Sequence, residues 1–180
     1  MPGRTRSAAG KKPARAAKRA GKESIVEIRV GPPPGKSLEM HSGKPPAPGE
    51  TILELILPGD LNLKYAYSLR ILGAILARIR VTAEEEGRIQ SCLDEGLQNA
   101  IVWGSAGVPK KVVTVRAWLE DGAWGLTISD QGKGFGLGSL PDYESEEFPL
   151  MDRGRGIFRL IHLAGEIAYY DGGRTLLLKG

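Results

Sequence analysis

The chain has 180 residues and a formal net charge of +4, and this length fits one domain with an appendage. Residues 1–22 contain eight Lys and Arg residues and no acid, so the rest of the chain carries −4. The single cysteine, Cys92, excludes an intramolecular disulfide and fits a reducing compartment. Because the chain has neither a run of about 18 apolar residues nor an apolar signal-peptide core, we expect a cytoplasmic protein that does not enter a membrane.

The first fifty residues differ in composition from the remainder. Residues 1–22 are mostly Ala, Lys, Arg and Gly, which predicts a disordered basic tail. This tail is either a solvated extension, the interpretation we favour, or an electrostatic contact for nucleic acid or an acidic protein. Residues 23–50 are predicted as one short strand, in which Val26, Ile28 and Val30 alternate with charged residues, plus a Pro/Gly-rich linker. The strand can add to an edge of the sheet of the main domain, residues 51–180.

The main domain alternates between strand and helix patterns. Strands are predicted at 51–57, 112–119, 124–129, 166–170 and 175–179. Helices are predicted at 64–80, from Thr82 onward with Glu85 completing a capping box, and after residues 153–156. Residues 137–152 are too polar and broken for a core element, and a loop of this length in a compact domain is typical of a lid or a binding loop.

Two polar residues stand out on the second predicted helix. Glu95 and Asn99 are four residues apart, so they share one face. The core-facing stripe of this helix consists of other residues, namely Ile89, Leu93, Leu97 and Ala100. The pair therefore points away from the centre of the stripe, and Gly96 between them leaves room for a ligand. An ordinary solvated helix face is the alternative, and the helix alone does not exclude it.

Two glycine-rich stretches follow. Asp130 ends a predicted strand and precedes Gly132 and Gly134, so its carboxylate can accept from a donor group on a flat ligand that approaches the turn. Ordinary Asp-Gly turn chemistry is the alternative. The sequence Arg153-Gly154-Arg155-Gly156 opens the third helix, where free amide groups and positive charge predict an anion site. A flexible loop that happens to precede a helix is the alternative there.

Other site types find no support in the sequence. No Cys/His cluster has metal-ligand spacing, and nothing resembles a Ser-His-Asp array or a Walker-type lysine loop. His41 and His162 are each isolated, and the apolar neighbours of His162 on a helix indicate a structural role.

Four motifs occur together in one order: Glu95 to Ala100, Asp130 to Phe135, Arg153 to Ile157 and Gly172 to Thr175. With the element order strand, two helices, hairpin, lid, helix, hairpin, residues 51–180 resemble the GHKL ATPase superfamily. Within it they look like the bacterial anti-sigma-factor serine/threonine kinases. The resemblance implies a two-layer α+β sandwich, with a mixed, mostly antiparallel sheet covered on one face by helices. It also implies ATP and Mg²⁺ as cofactors, a sequestered sigma factor, a phosphorylated anti-sigma antagonist (partner switching) and a homodimer.

The resemblance also implies residue roles. Glu95 would be the catalytic general base, and Asn99 would hold Mg²⁺ on the phosphates. Asp130 would accept from the adenine amine. The remaining implied nucleotide contacts are Gly132, Gly134 and Thr175 at the adenine, and Gly154, Arg155 and Gly156 at the phosphates beneath the lid. Two positions depart from the family pattern, Trp103 in place of a histidine and Gly165 in place of an aspartate. Neither is an expected ligand, so these departures bear on partner contacts.

Three other functions remain open. The first is the catalytic domain of a sensor histidine kinase, which is disfavoured because His41 lies in a Pro/Gly-rich range and not on a dimerisation helix. The second is a non-catalytic nucleotide-gated adaptor, which the presence of Glu95 disfavours. The third is a regulator that contacts nucleic acid through residues 1–22.

Overall fold

A computed structural model describes residues 26–29, 37–46, 49–143, 145, 148 and 154–180. Within them, the strands are β1 (Val26–Arg29), β2 (Ser37–Met40), β3 (Glu50–Pro58), β4 (Val112–Glu120), β5 (Ala123–Ser129), β6 (Glu166–Tyr170) and β7 (Thr175–Lys179). These seven form one sheet in the order β1-β2-β6-β7-β5-β4-β3. The β2–β6 pair is parallel and the other pairs are antiparallel.

The described helices are α1 (Lys64–Leu76), α2 (Ala83–Gln98) and α3 (Arg155–Leu163). Their apolar faces and one face of the sheet enclose a single core, which includes Ile71, Ile75, Ile89, Leu93, Leu97, Leu126, Leu160, Ile161 and Leu178. A smaller cluster of Trp118, Ala168, Tyr170 and Leu177 is separate from this core. Because side chains alternate along strands, these residues belong to the opposite face of the sheet. The predicted two-layer α+β sandwich is confirmed.

Helix α2 begins as predicted, although only half of the capping box forms. The Thr82 hydroxyl oxygen accepts from the Glu85 N–H at 3.2 Å, which satisfies one free donor of the first turn. The Glu85 carboxylate does not return to the cap. It pairs with Arg88 and accepts from the indole N–H of Trp124 at 3.0 Å, and the Arg88 hydrogen bond is the main reason that its pKa lies below the usual value. These contacts join the start of α2 to β5.

Helix α1 is shorter than the predicted 64–80 and ends at Leu76. The last turn has the three-residue spacing of a 3₁₀ turn, because the Arg78 N–H donates to the Ile75 carbonyl at 2.9 Å. The Arg78 side chain pairs with Glu50 of β3, while Ile79 still packs against the core. Apolar periodicity continues past the helix end because the following turn also packs on the core.

Strand β2 lies inside the range that the sequence analysis assigned to a linker. Its register pairs Glu39 with Ala168 of β6, and Leu38 is fully buried in the core. His41 follows, with its ring stacked on that of Tyr170 at a centroid distance of 4.4 Å. Two apolar residues, Leu38 and Met40, beside a Pro/Gly-rich stretch are too few to establish a period, so contacts with β6 and not local pattern define this strand. Strand β1 pairs with β2 at the edge of the sheet.

The predicted tail, residues 1–22, lies outside the described residues. None of the helices in the described part of the chain is both long and apolar enough to cross a membrane.

Candidate functional site

A cavity of about 390 Å³ opens between α2, the start of α3 and the ends of the central strands, a size suited to a small molecule. It brings together seven of the residues that the sequence singled out: Glu95, Asn99, Asp130, Gly134, Gly154, Arg155 and Gly156. Gly132 and Thr175 do not line the cavity. Each instead supports its rim, because the Gly132 N–H donates to Asp130 Oδ1 at 2.7 Å and the Thr175 hydroxyl donates to Ser129 Oγ at 3.0 Å.

At one end of the cavity, α3 closely approaches the polar pair on α2. A Cβ atom added to Gly156 would lie 2.9 Å from Glu95 Oε2 and 3.1 Å from Asn99 Oδ1. Glycine therefore permits the approach of the first turn of α3 to both side chains. The other carboxylate oxygen, Glu95 Oε1, accepts from Nη1 of Arg159 at 2.6 Å, so Glu95 links α2 to α3 through this oxygen.

The sequence predicts that Glu95 and Asn99 point away from the centre of the core-facing stripe, and the structure adds which residues share their face. Cys92 and Gly96 share that face and are both buried. A Cβ at Gly96 would lie 2.6 Å from Ile128 Cδ1, so this glycine lets α2 pack directly on β5. The face is thus a boundary between the core and the cavity, not a solvated surface.

Elsewhere in the cavity wall, the Asp130 carboxylate packs closely against two glycines. A Cβ at Gly104 would lie 2.1 Å from the Asp130 carboxyl carbon, and one at Gly132 would lie 2.8 Å from Oδ1. Burial raises the pKa of Asp130, while the Gly132 N–H and the charges of Arg174 and Lys111 act in the other direction. A partly desolvated carboxylate at a cavity wall is suited to accept a hydrogen bond from a neutral donor group.

The start of α3 has the features of an anion site. Gly154 is its N-cap residue with φ +88° and offers no side chain to cap the first turn, an arrangement typical of anion sites at helix N-termini. A Cβ there would lie 2.4 Å from Pro141 Cγ, which shows that the described part of loop 137–152 packs on this turn. The same loop contributes Tyr143 and Phe148, whose rings pack with Phe158 of α3.

Several residues that line the cavity were not predicted as catalytic or nucleotide-binding residues. These are Gly96, Gln98, Ala100, Trp103, Gly104, Ile128, Phe135, Ser139, Leu140, Pro141, Ile157, Tyr169, Gly173, Arg174 and Leu176. Arg174 had a signal, since it stands in the last glycine motif. Tyr169 had none, because a tyrosine in an apolar strand resembles an ordinary core residue. Its position beneath the cavity comes from the pairing of β6 with β7.

A helical layer on a mixed sheet, with this cavity between them, defines the class of the domain. Residues 60–179 match the family described as the histidine kinase-like ATPase domain. The chain belongs to this family, and membership implies use of ATP.

Individual relatives carry the name anti-sigma F factor. The chain is 35% identical to that of Halalkalibacterium halodurans over 78 residues, which cover 43% of this chain and 50% of the relative. It is 32% identical over 77 residues to that of Geobacillus stearothermophilus, covering 43% and 49%. It is 35% identical over 82 residues to that of Bacillus cytotoxicus, covering 42% and 56%. The chain spans about half the length of the curated relatives it matches.

Proposed function

We propose that this protein is an ATP-dependent serine/threonine protein kinase that sequesters a sigma factor and phosphorylates an antagonist of that sequestration. The observation that carries the proposal is the convergence of Glu95, Asn99 and Asp130 on one cavity. Family membership supports the nucleotide, and the name of the relatives supports a sigma factor as partner.

The residues of the cavity fit ATP with Mg²⁺. Asp130 would accept from the adenine amine, at the end of the cavity where its carboxylate is held between Gly104 and Gly132. The phosphates would lie at the start of α3, near Asn99 Oδ1, because Gly156 lets this turn approach Asn99 closely, and an amide oxygen is a ligand that Mg²⁺ accepts together with phosphates and water. The first-turn amides of α3 and the charge of Arg155 would face the same anion. ATP supplies the phosphoryl group and Mg²⁺ offsets its charge.

Glu95 would act on the acceptor and not on the nucleotide. Its Oε2 faces the first turn of α3. There it can take the proton of a serine or threonine hydroxyl as that oxygen bonds to the γ-phosphorus of ATP and the bond from this phosphorus to the ADP oxygen breaks. Arg159 holds Oε1 and so limits the rotation of the carboxylate. The carboxylate contributes positioning and a proton acceptor, both of which phosphoryl transfer requires.

Comparison of Glu95→Ala with Asn99→Ala tests this division of roles. We expect Glu95→Ala to keep ATP affinity within a few-fold and to keep sigma-factor binding, while phosphate transfer falls by ~10²-fold or more. Asn99→Ala should weaken Mg²⁺-dependent ATP binding and abolish transfer with it. Glu86→Ala is the matched control, because Glu86 is an exposed acid on the same helix.

The assay uses labelled ATP, a cognate antagonist protein and identification of the phosphorylated side chain. Transfer by Glu95→Ala at the wild-type rate would show that Glu95 is not the base. If the wild-type protein binds ATP but transfers phosphate to no cognate partner, the nucleotide-gated adaptor is the correct function. Phosphohistidine as the product would instead assign the domain to histidine kinases.

A further inference from the structure

A second, more open groove lies between α2 and α3 and meets the cavity at Glu95. The groove has a volume of about 610 Å³. Within the described part of the chain, Glu95 is the one residue that lines both sites. The cavity uses α2 from Glu95 onward and the first turn of α3, so the two sites follow one another along both helices. The groove residues used below are Ser91 and Asp94 of α2 and Arg159 and Leu163 of α3.

The Glu95 carboxylate lies at the junction of the groove and the cavity. Its Oε2 is 2.9 Å from the position that a Gly156 Cβ would occupy, and Gly156 lines the cavity. Its Oε1 accepts from Arg159 Nη1 at 2.6 Å, and Arg159 lines the groove. The carboxylate therefore has one oxygen toward each of the two sites.

Phosphoryl transfer requires two molecules to meet at this carboxylate. The acceptor hydroxyl must lie within reach of its base and in line with the phosphorus–oxygen bond that breaks. ATP would occupy the cavity from Asp130 to the start of α3, so the acceptor needs a separate approach. The groove provides one, because it reaches Glu95 without including any residue assigned to the nucleotide.

We propose that the groove between α2 and α3 binds the segment of the antagonist that carries the phosphorylated serine or threonine. This inference rests on the proposed function and adds a second site to it. The lining suits a polypeptide segment, because Arg159 has N–H donors for carbonyl oxygens, Asp94 can accept from N–H groups and Leu163 adds an apolar surface. The Arg159 side chain is 66% exposed, so its guanidinium can contact such a segment while Nη1 stays bonded to Glu95.

A bulky substitution at Ser91 tests the groove without a change in the cavity. The Ser91 hydroxyl donates to the Gly87 carbonyl of the same helix at 2.9 Å, so its loss removes no contact between elements. A tyrosine at this position would occupy part of the groove and compete with the antagonist. We expect Ser91→Tyr to raise KM for the antagonist by ~10-fold or more and to keep ATP affinity within about twofold, the pattern of lost substrate binding.

Glu86→Tyr is the matched control, since Glu86 is exposed on the same helix and does not line the groove. It should keep the wild-type KM for the antagonist. Asp94→Asn is a second groove variant that changes side-chain volume very little, so it remains informative if Ser91→Tyr does not fold. It should raise KM for the antagonist by about threefold or more, the scale of one weakened hydrogen bond, with ATP affinity unchanged.

A wild-type KM for the antagonist in folded Ser91→Tyr protein, or in Asp94→Asn if Ser91→Tyr does not fold, would overturn the inference. An equal rise in KM for Ser91→Tyr and Glu86→Tyr would also overturn it, because the effect would then not be specific to the groove.

Photo-cross-linking identifies the occupant directly. A benzophenone amino acid at position 91, with an ATP analogue that does not transfer its phosphate, should cross-link to the antagonist close to the phosphorylated side chain. The same group at position 86 should not. Cross-links from position 91 to a distant part of the antagonist, or to the sigma factor alone, would overturn the inference. The proposed function would still stand in that case, provided that the wild-type protein transfers phosphate. If the wild-type protein phosphorylates no cognate antagonist, the proposed function fails and the inference fails with it.

Discussion

At the residue scale, Asp130 shows a conflict between stability and binding. Its folded pKa is raised, chiefly by burial, so the folded state favours the protonated form. The stability that this proton contributes is lost as the pH rises through the folded pKa, and at neutral pH the ionised carboxylate opposes folding. The carboxylate is nevertheless the form that accepts a hydrogen bond. Binding sites commonly retain groups that lower the stability of the fold in this way, because activity depends on the perturbed group.

Asp130→Asn should therefore raise the melting temperature of the free protein at neutral pH while it weakens ATP binding. The amide removes the buried charge, and its oxygen can still accept from the Gly132 N–H that now bonds Asp130 Oδ1. ATP affinity should fall about 10-fold or more, the scale of a lost hydrogen bond to a charged group. The wild-type preference for ATP over GTP should shrink, since guanine presents a carbonyl where adenine presents an amine. Calorimetry and thermal melts measure both effects.

The control for this substitution is Asp121→Asn, which makes the same change in an exposed turn where asparagine tolerates the φ of +50°. It should alter neither property. A lower melting temperature for Asp130→Asn would contradict the cost assigned to its buried charge, and equal wild-type affinity for ATP and GTP would contradict the adenine assignment.

At the element scale, α2 shows what the sequence was able to predict. The start at Thr82, the buried stripe and the shared face of Glu95 and Asn99 all follow from local rules, namely capping and helical spacing. The end of α2 does not follow from local rules, because the chain continues into a π-helical turn, Asn99–Gly104. That turn places Gly104 against Asp130, a contact between distant segments that no local pattern contains.

Strand β2 and Tyr169 are two features of the sheet that local sequence patterns also do not predict. A strand of four residues that includes Leu38 has too few positions for a period to appear. The cavity position of Tyr169 depends on the register of β6, in which it pairs with Leu176 of β7. Motif residues of the site were predicted from their types and spacing, whereas the residues that support them depend on tertiary packing.

The first turn of α3 provides a prediction at this scale. Gly156→Ala should impair nucleotide binding but not folding, because the added Cβ would displace the ends of the Glu95 and Asn99 side chains from their positions at the cavity. Alanine is the better helix former by about 0.5–1 kcal/mol, so the free energy of unfolding should not fall greatly. ATP affinity should fall at least about 10-fold, since each 1.4 kcal/mol of lost contact is a factor of ten.

Gly87→Ala is the matched control for this helix substitution. Gly87 is exposed within α2, and a Cβ there meets nothing within 4 Å. It should stabilise the protein by about 0.5–1 kcal/mol in urea titrations and leave ATP affinity unchanged. Unaltered ATP binding by Gly156→Ala would mean that nucleotide binding does not depend on the close approach of α3 to Glu95 and Asn99.

At the scale of the whole molecule, the sheet extends beyond the part of the chain that matches the family. The match starts at residue 60, yet β2 pairs with β6 and Leu38 is fully buried in the common core. The His41 N–H also donates to the Tyr169 carbonyl at 2.8 Å. The segment 37–41 thus belongs to the folded domain by its contacts, although its composition resembles a linker.

Two N-terminal deletions and one substitution test this boundary. Removal of residues 1–22 should leave the melting temperature and ATP affinity nearly unchanged, since a segment with little to bury contributes little to folding. Removal of residues 1–41 should lower the melting temperature by many degrees, because the edge of β6 loses its partner and the core loses Leu38.

In the full chain, Leu38→Ala should reduce the free energy of unfolding by about 2–5 kcal/mol. Leu61→Ala, the same change at a residue that is 48% exposed, should reduce it by less than about 0.5 kcal/mol. Equal melting temperatures for the two deletions would show that β2 contributes nothing to the fold, and a large loss on removal of residues 1–22 would show that the basic segment packs on the domain.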